Sequence, residues 1–258
     1  MQPFSMANIG LYAETLDDIE GVRKAAANRL RALQAAPGDN GYGLADSDPT
    51  VLTQLSVMES IDALEKRAIK NLERAVKTHP LGPWIIAQKG IGLKQAGRLL
   101  AKTGDPYYHN GYYDTGAVDK HGEPVMEPYD RPRTVSELWA YCGYSVVGGE
   151  SQRHRKGQQG NWNDTARMRA WNIAGSCLKA QGHYADVYYA AREHYADAVH
   201  QKECVRCGPS GRPAQVGSAL SDGHRHARAL RKVSKEFLKD LWRESKRLHE
   251  EAALPIAA

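Results

Sequence analysis

The chain contains four cysteines in 258 residues, no long unbroken apolar run, and no large excess of either charge. Without about 20 consecutive apolar residues there is no membrane-spanning helix to read. The first residues lack the basic stretch and apolar core of a secretory signal, so the expected setting is the cytoplasm of a bacterial host, at the nucleoid. Four cysteines in a reducing compartment do not make a disulfide framework, and the close pair Cys204 and Cys207 points to metal instead. Thirty-five Lys and Arg against 30 Asp and Glu leave a formal charge of +5, which is compatible with nucleic acid without requiring it. Clustered carboxylates are missing too. Asp105, Glu123, Glu127 and Asp130 are scattered through a loop-like segment, which gives little support to a two-metal nuclease. What remains, 41% hydrophobic and 25% charged, is ordinary for a globular protein of one large domain or two small ones.

The apolar residues that are present recur with helical spacing. Leu16, Ile19, Val22, Ala26, Leu30 and Leu33 line one face, with Arg23, Lys24, Arg29 and Arg31 on or beside the polar side. Gly38-Asp-Asn-Gly41 interrupts the pattern. Asp48 or Thr50 can cap a second helix with Pro49 in its first turn. Leu52, Leu55, Met58, Ile61, Leu64 or Leu72, and Val76 continue its stripe to Thr78. The fold class is therefore mainly α, and residues 1–80 read as an antiparallel helical hairpin or coiled coil. Its apolar stripe serves either internal packing or a homodimer seam.

Residues 84–100 carry the most pointed signal: an apolar stretch, Gly90-Ile91-Gly92, then a helix with Ala96, Leu99 and Leu100. That is the pattern of a helix-hairpin-helix. The glycines let a turn approach a ligand, and the free amides at the start of the second helix suit a phosphate oxygen. Lys89, Lys94 and Arg98 would surround the turn with positive charge, positioning DNA without reading bases. This segment opens a second unit, 81–200, into which residues 107–132 read as an inserted two-stranded excursion around Lys120-His-Gly122. Ser136–Gly143 reads as a short capped helix. The stretch from Gly148 to Asn161 is glycine-rich and basic, and Arg153, Arg155 and Lys156 make it a candidate phosphate clamp. A long helical region is expected over 164–200, where Arg167 and Arg169 extend the basic surface and Trp171, Ala174, Cys177 and Leu178 face inward. Ser151 and Ser145 are weak candidates for a nucleophile, since a hydroxyl needs an activating base in reach.

The last unit, 201–258, has its own chemistry. Cys204-Val-Arg-Cys207 places two thiolates on one tight turn, at a separation tetrahedral zinc accepts. His224 and His226 can close the site from downstream. If the chain is already helical there, positions two apart do not share a face. Only one of the two would then bind, and His200 becomes the fourth ligand. Such a zinc site would be structural. Residues 227–250 read as an amphipathic helix, with Leu230, Val233, Phe237, Leu238, Leu241 and Trp242 inward. Its basic face is either solvated, laid along nucleic acid, or turned to an acidic partner.

The order of these parts resembles one family. Asn28-Arg-Leu-Arg-Ala-Leu33 in a helical hairpin is followed by Gly90-Ile91-Gly92 with Leu99-Leu100 through Gly104-Asp105-Pro106. Then come Glu137-Leu-Trp-Ala-Tyr-Cys-Gly143, the basic loop, and Gly160-Asn161 leading into a helix with Arg169. Over residues 9–185 this is similar to the coiled-coil and C-terminal domains of bridge-RNA-guided insertion-sequence transposases. Those transposases begin with a RuvC-like nuclease domain, for which the sequence before residue 9 is too short. Their catalytic serine precedes a glycine pair, where Val146 and Val147 stand before Gly148-Gly149 here. The resemblance thus implies DNA handling without cutting. The expectation is a non-catalytic accessory or directionality factor for phage or mobile-element recombination, with duplex DNA and a recombinase or integrase as partners. Two alternatives stay open: a strand-transfer enzyme using a loop serine with a nuclease subunit in trans, and an RNA-binding scaffold.

Overall fold

Two long amphipathic helices set the frame. In a computed structural model that describes residues 4–152, 154, 157, 160–208 and 212–253, α1 (Ala7–Gln34) buries Ile9, Ala13, Leu16 and Ala26. Helix α2 (Pro49–Thr78) buries Val51, Ile61, Ala68, Leu72 and Val76. Leu72 belongs to the core, whereas Leu64 is half exposed. The Asp48 side chain caps α2 by accepting the Thr50 amide at 2.8 Å, with Pro49 in the first turn. Arg23 pairs with Glu65 at 2.6 Å, and Gln54 donates to the Ala26 carbonyl at 3.1 Å, so the two helices run antiparallel.

The chain then enters α3 (Gly82–Ala87), a turn over 88–92, and α4 (Leu93–Thr103). Ile85, Ile91, Ala96, Leu99 and Leu100 are buried. Gly97 lets α4 lie against α2, because a Cβ there would stand 2.8 Å from Leu72 and Val76 side-chain atoms. Helix α5 (Val135–Tyr141) begins at Thr134, not Ser136, with a full capping box to Glu137. The helical stretch expected over 164–200 is two helices, α6 (Asp164–Ala180) and α7 (His183–His194). Gln181 breaks it in the left-handed region, φ 53°, and Gly182 follows beside the Lys89 stem. The reversal lets α7 pack along α8 (Asp222–Ala253). Helix α8 buries Leu230, Val233, Phe237, Leu238 and Leu241. At roughly 2 kcal/mol per buried side chain, this stripe outweighs any single polar contact of about 1 kcal/mol in docking the helix. One contiguous core draws Leu16, Leu72, Leu99, Tyr144, Ile173, Phe237 and Leu241 from all three segments, 1–80, 81–200 and 201–258.

Residues 107–132 form an antiparallel arm, β1 (Tyr108–Val118) paired with β2 (Pro124–Pro132). The register runs from Tyr108 opposite Pro132 to Asp114 opposite Met126, and shifts before Val118 opposite Pro124. The Asp119 carboxylate organises its tip by accepting the amides of His121 and Glu123. The Arg133 amide donates to the Tyr107 carbonyl. Odd-numbered residues of β2 therefore face β1, and Pro124, Pro128 and Pro132 line the outer edge without a donor. The arm is rooted on Asp105, whose carboxylate is fully buried. It accepts from Ser245 Oγ and the amides of Phe4, Tyr107 and Tyr108, and lies 2.6 Å from His249 Nε2. Buried Arg133 donates to the carbonyls of Thr103, Asp105 and Pro106. A smaller ribbon, β3 (Val146–Val147) with β4 (Glu150–Ser151), leads into the basic loop.

Candidate metal centre and nucleic-acid interface

Residues 198–208 and 212–220 meet through short backbone pairings. Cys204 and Ala214 exchange amide bonds at 3.0 and 2.9 Å, the His200 amide donates to Ser218, and the Gly217 amide donates to His200. The Cys207 amide closes the Cys204–Cys207 turn onto the Cys204 carbonyl. This ladder presents His200, Cys204 and Cys207, and the first turn of α8 presents His224. Their ligand atoms all lie within 4.8 Å of one another. His224 Nδ1 is 3.4 Å from Cys207 Sγ and 4.0 Å from Cys204 Sγ.

Tetrahedral zinc, with bonds of about 2.0–2.3 Å, sets its ligand atoms roughly 3.3–3.8 Å apart. The cluster is close to that spacing, and these four residues can hold a metal ion. His200 supports the fit independently: it is buried, and its Nε2 has no hydrogen-bond partner among the described residues. A buried polar atom left so is costly unless something meets it. Burial works against ionisation of the Cys207 thiol, but the Ser221 hydroxyl at 3.0 Å, Cys204 and the Arg228 charge together draw it below its ordinary value. His226 is not part of the cluster. Helix α8 starts at Asp222, so His226 stands about 200° around the helix from His224. Its Nδ1 is 2.6 Å from the Tyr188 hydroxyl. The expected set with both downstream histidines is corrected to His200 and His224.

The positive charges read around the Gly90-Ile91-Gly92 turn are largely turned inward. Arg98 is 3% exposed and pairs with Asp17 at 2.5 Å and Glu20 at 2.6 Å. Lys94 pairs with Glu20 at 2.8 Å and approaches Glu65, and Arg169 pairs with Asp17 at 2.8 Å. These contacts tie α1, α2, α4 and α6 together. Although burial opposes it, the bonds and charges of Arg98 and Lys94 hold the Glu20 carboxyl down at about 2. Lys94, Arg98 and Arg169 are thus corrected from surface charges to members of an internal ion network. The acids that claim them, Asp17, Glu20 and Glu65, carry no local signal in the sequence. Each is 29 or more residues from its principal partner, and only their position beside the apolar stripes hints at a role.

Other expected contacts fare differently. Lys89 is exposed, with its ammonium 3.4 Å from the Gln181 carbonyl. Gly90 packs against α6, while Gly92 is exposed, caps α4 without a side-chain bond, and has nothing within 4 Å of a built Cβ. Arg167 is half-buried at the foot of the basic loop, over the Trp162 ring and 3.4 Å from the Gln152 carbonyl. Arg153, Arg155 and Lys156 lie outside the described residues. Ser145 precedes β3 and Ser151 ends β4, and among the described residues no hydrogen bond joins either hydroxyl to a base. His154 is engaged instead with Asp164 at 2.8 Å and packs on Trp162.

The basic face of α8 is divided between cations that fold onto the body of the protein and cations that pair along the helix itself. Arg231 donates to the Tyr144 and Ser145 carbonyls, and Lys235 sits 3.9 Å over the Trp139 ring. Lys239, Arg243, Lys246 and Arg247 pair with carboxylates of the same helix. Among the described residues no helix is long and apolar enough to cross a membrane. No protein-family model, curated protein or solved structure matches the chain.

Proposed function

We propose that the protein is a non-catalytic DNA-binding factor of phage or mobile-element recombination, an accessory or directionality factor that engages duplex DNA and a recombinase, with a C-terminal segment stapled by structural zinc. The observation that carries the DNA reading is the start of α4: the Gly92 cap is exposed, unobstructed and without a side-chain bond, and Lys89 stands exposed beside it. Free amides at a helix start, with the helix dipole behind them, favour a phosphate oxygen. Among the described residues neither the Ser145 nor the Ser151 hydroxyl meets a base, which favours binding over strand transfer. The recombination setting rests on the order of parts along the sequence. Two thiolates and two imidazoles favour zinc, and four protein ligands leave no coordination position for a reacting water.

The test is a titration of labelled duplex DNA with metal-loaded protein across a salt series. Binding that weakens with salt is expected, and Lys89→Glu should lower the affinity and flatten the salt slope by about 1. A folded, metal-loaded protein that ignores duplex DNA at low salt, or that binds only RNA, overturns the proposal. For the metal, one zinc per chain is expected. It should be lost in Cys204→Ser and His200→Ala and kept in His226→Ala; retention in the first two would refute this ligand set.

A further inference from the structure

Helix α2 carries a feature that neither the metal cluster nor the α4 turn uses. Between Lys66 and Lys77 it has five cations, Lys66, Arg67, Lys70, Arg74 and Lys77, all exposed. At about 100° per residue they fall within an arc of about 100° on the side opposite buried Ala68, Leu72 and Val76. Glu73, half-buried, is the one acid in this stretch and lies to the flank. Among the described residues none of the five forms an ion pair. Elsewhere Arg23, Lys94, Arg98 and Arg169 meet carboxylates across helices and most α8 cations meet acids, carbonyls or rings, while exposed Lys24, Arg29 and Lys179 stand apart rather than in a stripe.

Like charges three and four residues apart oppose each other and disfavour the helix. The helix dipole rewards Lys77 in the last turn, but its effect fades before Lys66, Arg67 and Lys70. A solvated surface ordinarily mixes both signs; this one does not. The stripe spans about 16 Å; a DNA strand rises about 3.4 Å per nucleotide along the axis but winds around it, so successive phosphates lie roughly 7 Å apart and the stripe reaches two or three of them. An anionic membrane is the poorer fit, because no large apolar side chain is exposed between Leu64 and Ile86 to enter it.

We infer that the outer face of α2, from Lys66 to Lys77, is a docking surface for the sugar-phosphate backbone of duplex DNA. It rests on the DNA-binding reading and adds a surface separate from the α4 turn. It supplies non-specific, salt-sensitive affinity, while base recognition lies elsewhere.

The test compares wild type with a Lys66→Gln, Lys70→Gln, Arg74→Gln triple variant, a charge-reversed Glu triple, and Lys120→Glu on the arm as a control. Affinity for a labelled duplex is measured by fluorescence anisotropy over a salt series, with circular dichroism and zinc content as folding checks. The Gln triple should bind about 30- to 100-fold more weakly at moderate salt, with a slope shallower by about 2.7. The Glu triple should bind more weakly still, and the control should match wild type. Wild-type binding that the triples leave unchanged, while Lys89→Glu weakens it, overturns this inference and spares the function. A wild type that binds no duplex overturns both. Stripe-dependent binding to phosphatidylserine vesicles but not to DNA would also overturn it.

Discussion

At Gly90 the backbone has φ +92° and passes so close to α6 that a Cβ would stand 2.7 Å from the Cys177 Cα and 2.8 Å from the Ala180 Cβ. Gly92, two residues on, has an ordinary φ of −78° and open space around it. The two glycines look alike in sequence but obey different constraints. Gly90→Ala should cost about 2–4 kcal/mol from backbone strain and collision together. Gly92→Ala should cost about 1 kcal/mol or less, the loss of a permissive cap. Urea titrations of both variants check this, and equal small costs would contradict the packing of the turn on α6. The same distinction holds for the histidines. Cys204-x-x-Cys207 was legible because a turn of four residues is local. The choice of His200 over His226 was legible only as a condition, because it depends on where α8 begins.

The arm shows the same limit for an element. Its existence was readable from alternation and a Lys-His-Gly turn, since cross-strand pairing with a short connection is a local property. Its relation to the body was not. Beyond its base the arm's side chains mostly pair with each other or face solvent, as Tyr112, Val118 and Met126 do. Prolines at three positions leave only the Met126 and Asp130 amides to donate from the outer edge of β2, which discourages strand addition there. Replacing residues 110–130 with Asn-Gly should therefore leave the body's thermal midpoint within a few degrees of wild type, as expected when the change in stability is below about 1 kcal/mol, with the metal retained. A collapse in stability would mean that the arm supports the core. At α6–α7 helical periodicity is legible, but the break at Gln181-Gly182 has no local mark because it serves packing against α8, about 40 residues away.

For the whole molecule the decisive feature is the ion network joining α1, α2, α4 and α6. Glu20→Gln leaves Arg98 buried with a weakened partner set and should destabilise the fold by about 3 kcal/mol, since breaking one side of a buried pair is costly. A loss near zero in urea titration would show that the network contributes little. Acid sensitivity follows from the buried groups. Burial holds His79 below its ordinary 6.5, only partly offset by Asp105, so the folded state resists its protonation. Stability should be full above about pH 6.5 and decline as pH falls below it. A second loss begins below 4.5 as Glu20 is forced toward its folded value of about 2. A third begins below 3.8 with Asp105, which stays depressed because Ser245, Phe4, His249 and Tyr108 overcome the effect of burial. His79→Gln should reduce the first limb, to which His109, also held low by burial and by Arg133 and Arg131, contributes the remainder, and should leave the other two. A wild-type stability that is level from pH 7.5 to 5 would contradict a buried neutral His79.

By itself the sequence determined the mainly helical class, the presence of α1, the approximate extent of α2 with a cap at Asp48 or Thr50, the two-stranded arm and the paired thiols. Each of these is encoded by interactions among residues a few positions apart. The tertiary structure decided which histidines complete the metal cluster, which glycine is obligatory, and which cations remain free. Lys94, Arg98 and Arg169 are neutralised by acids from distant helices, while Lys66 to Lys77 are left facing outward. A charge carries no local mark of its future partner; only the packing of separated segments determines whether it meets a carboxylate or solvent.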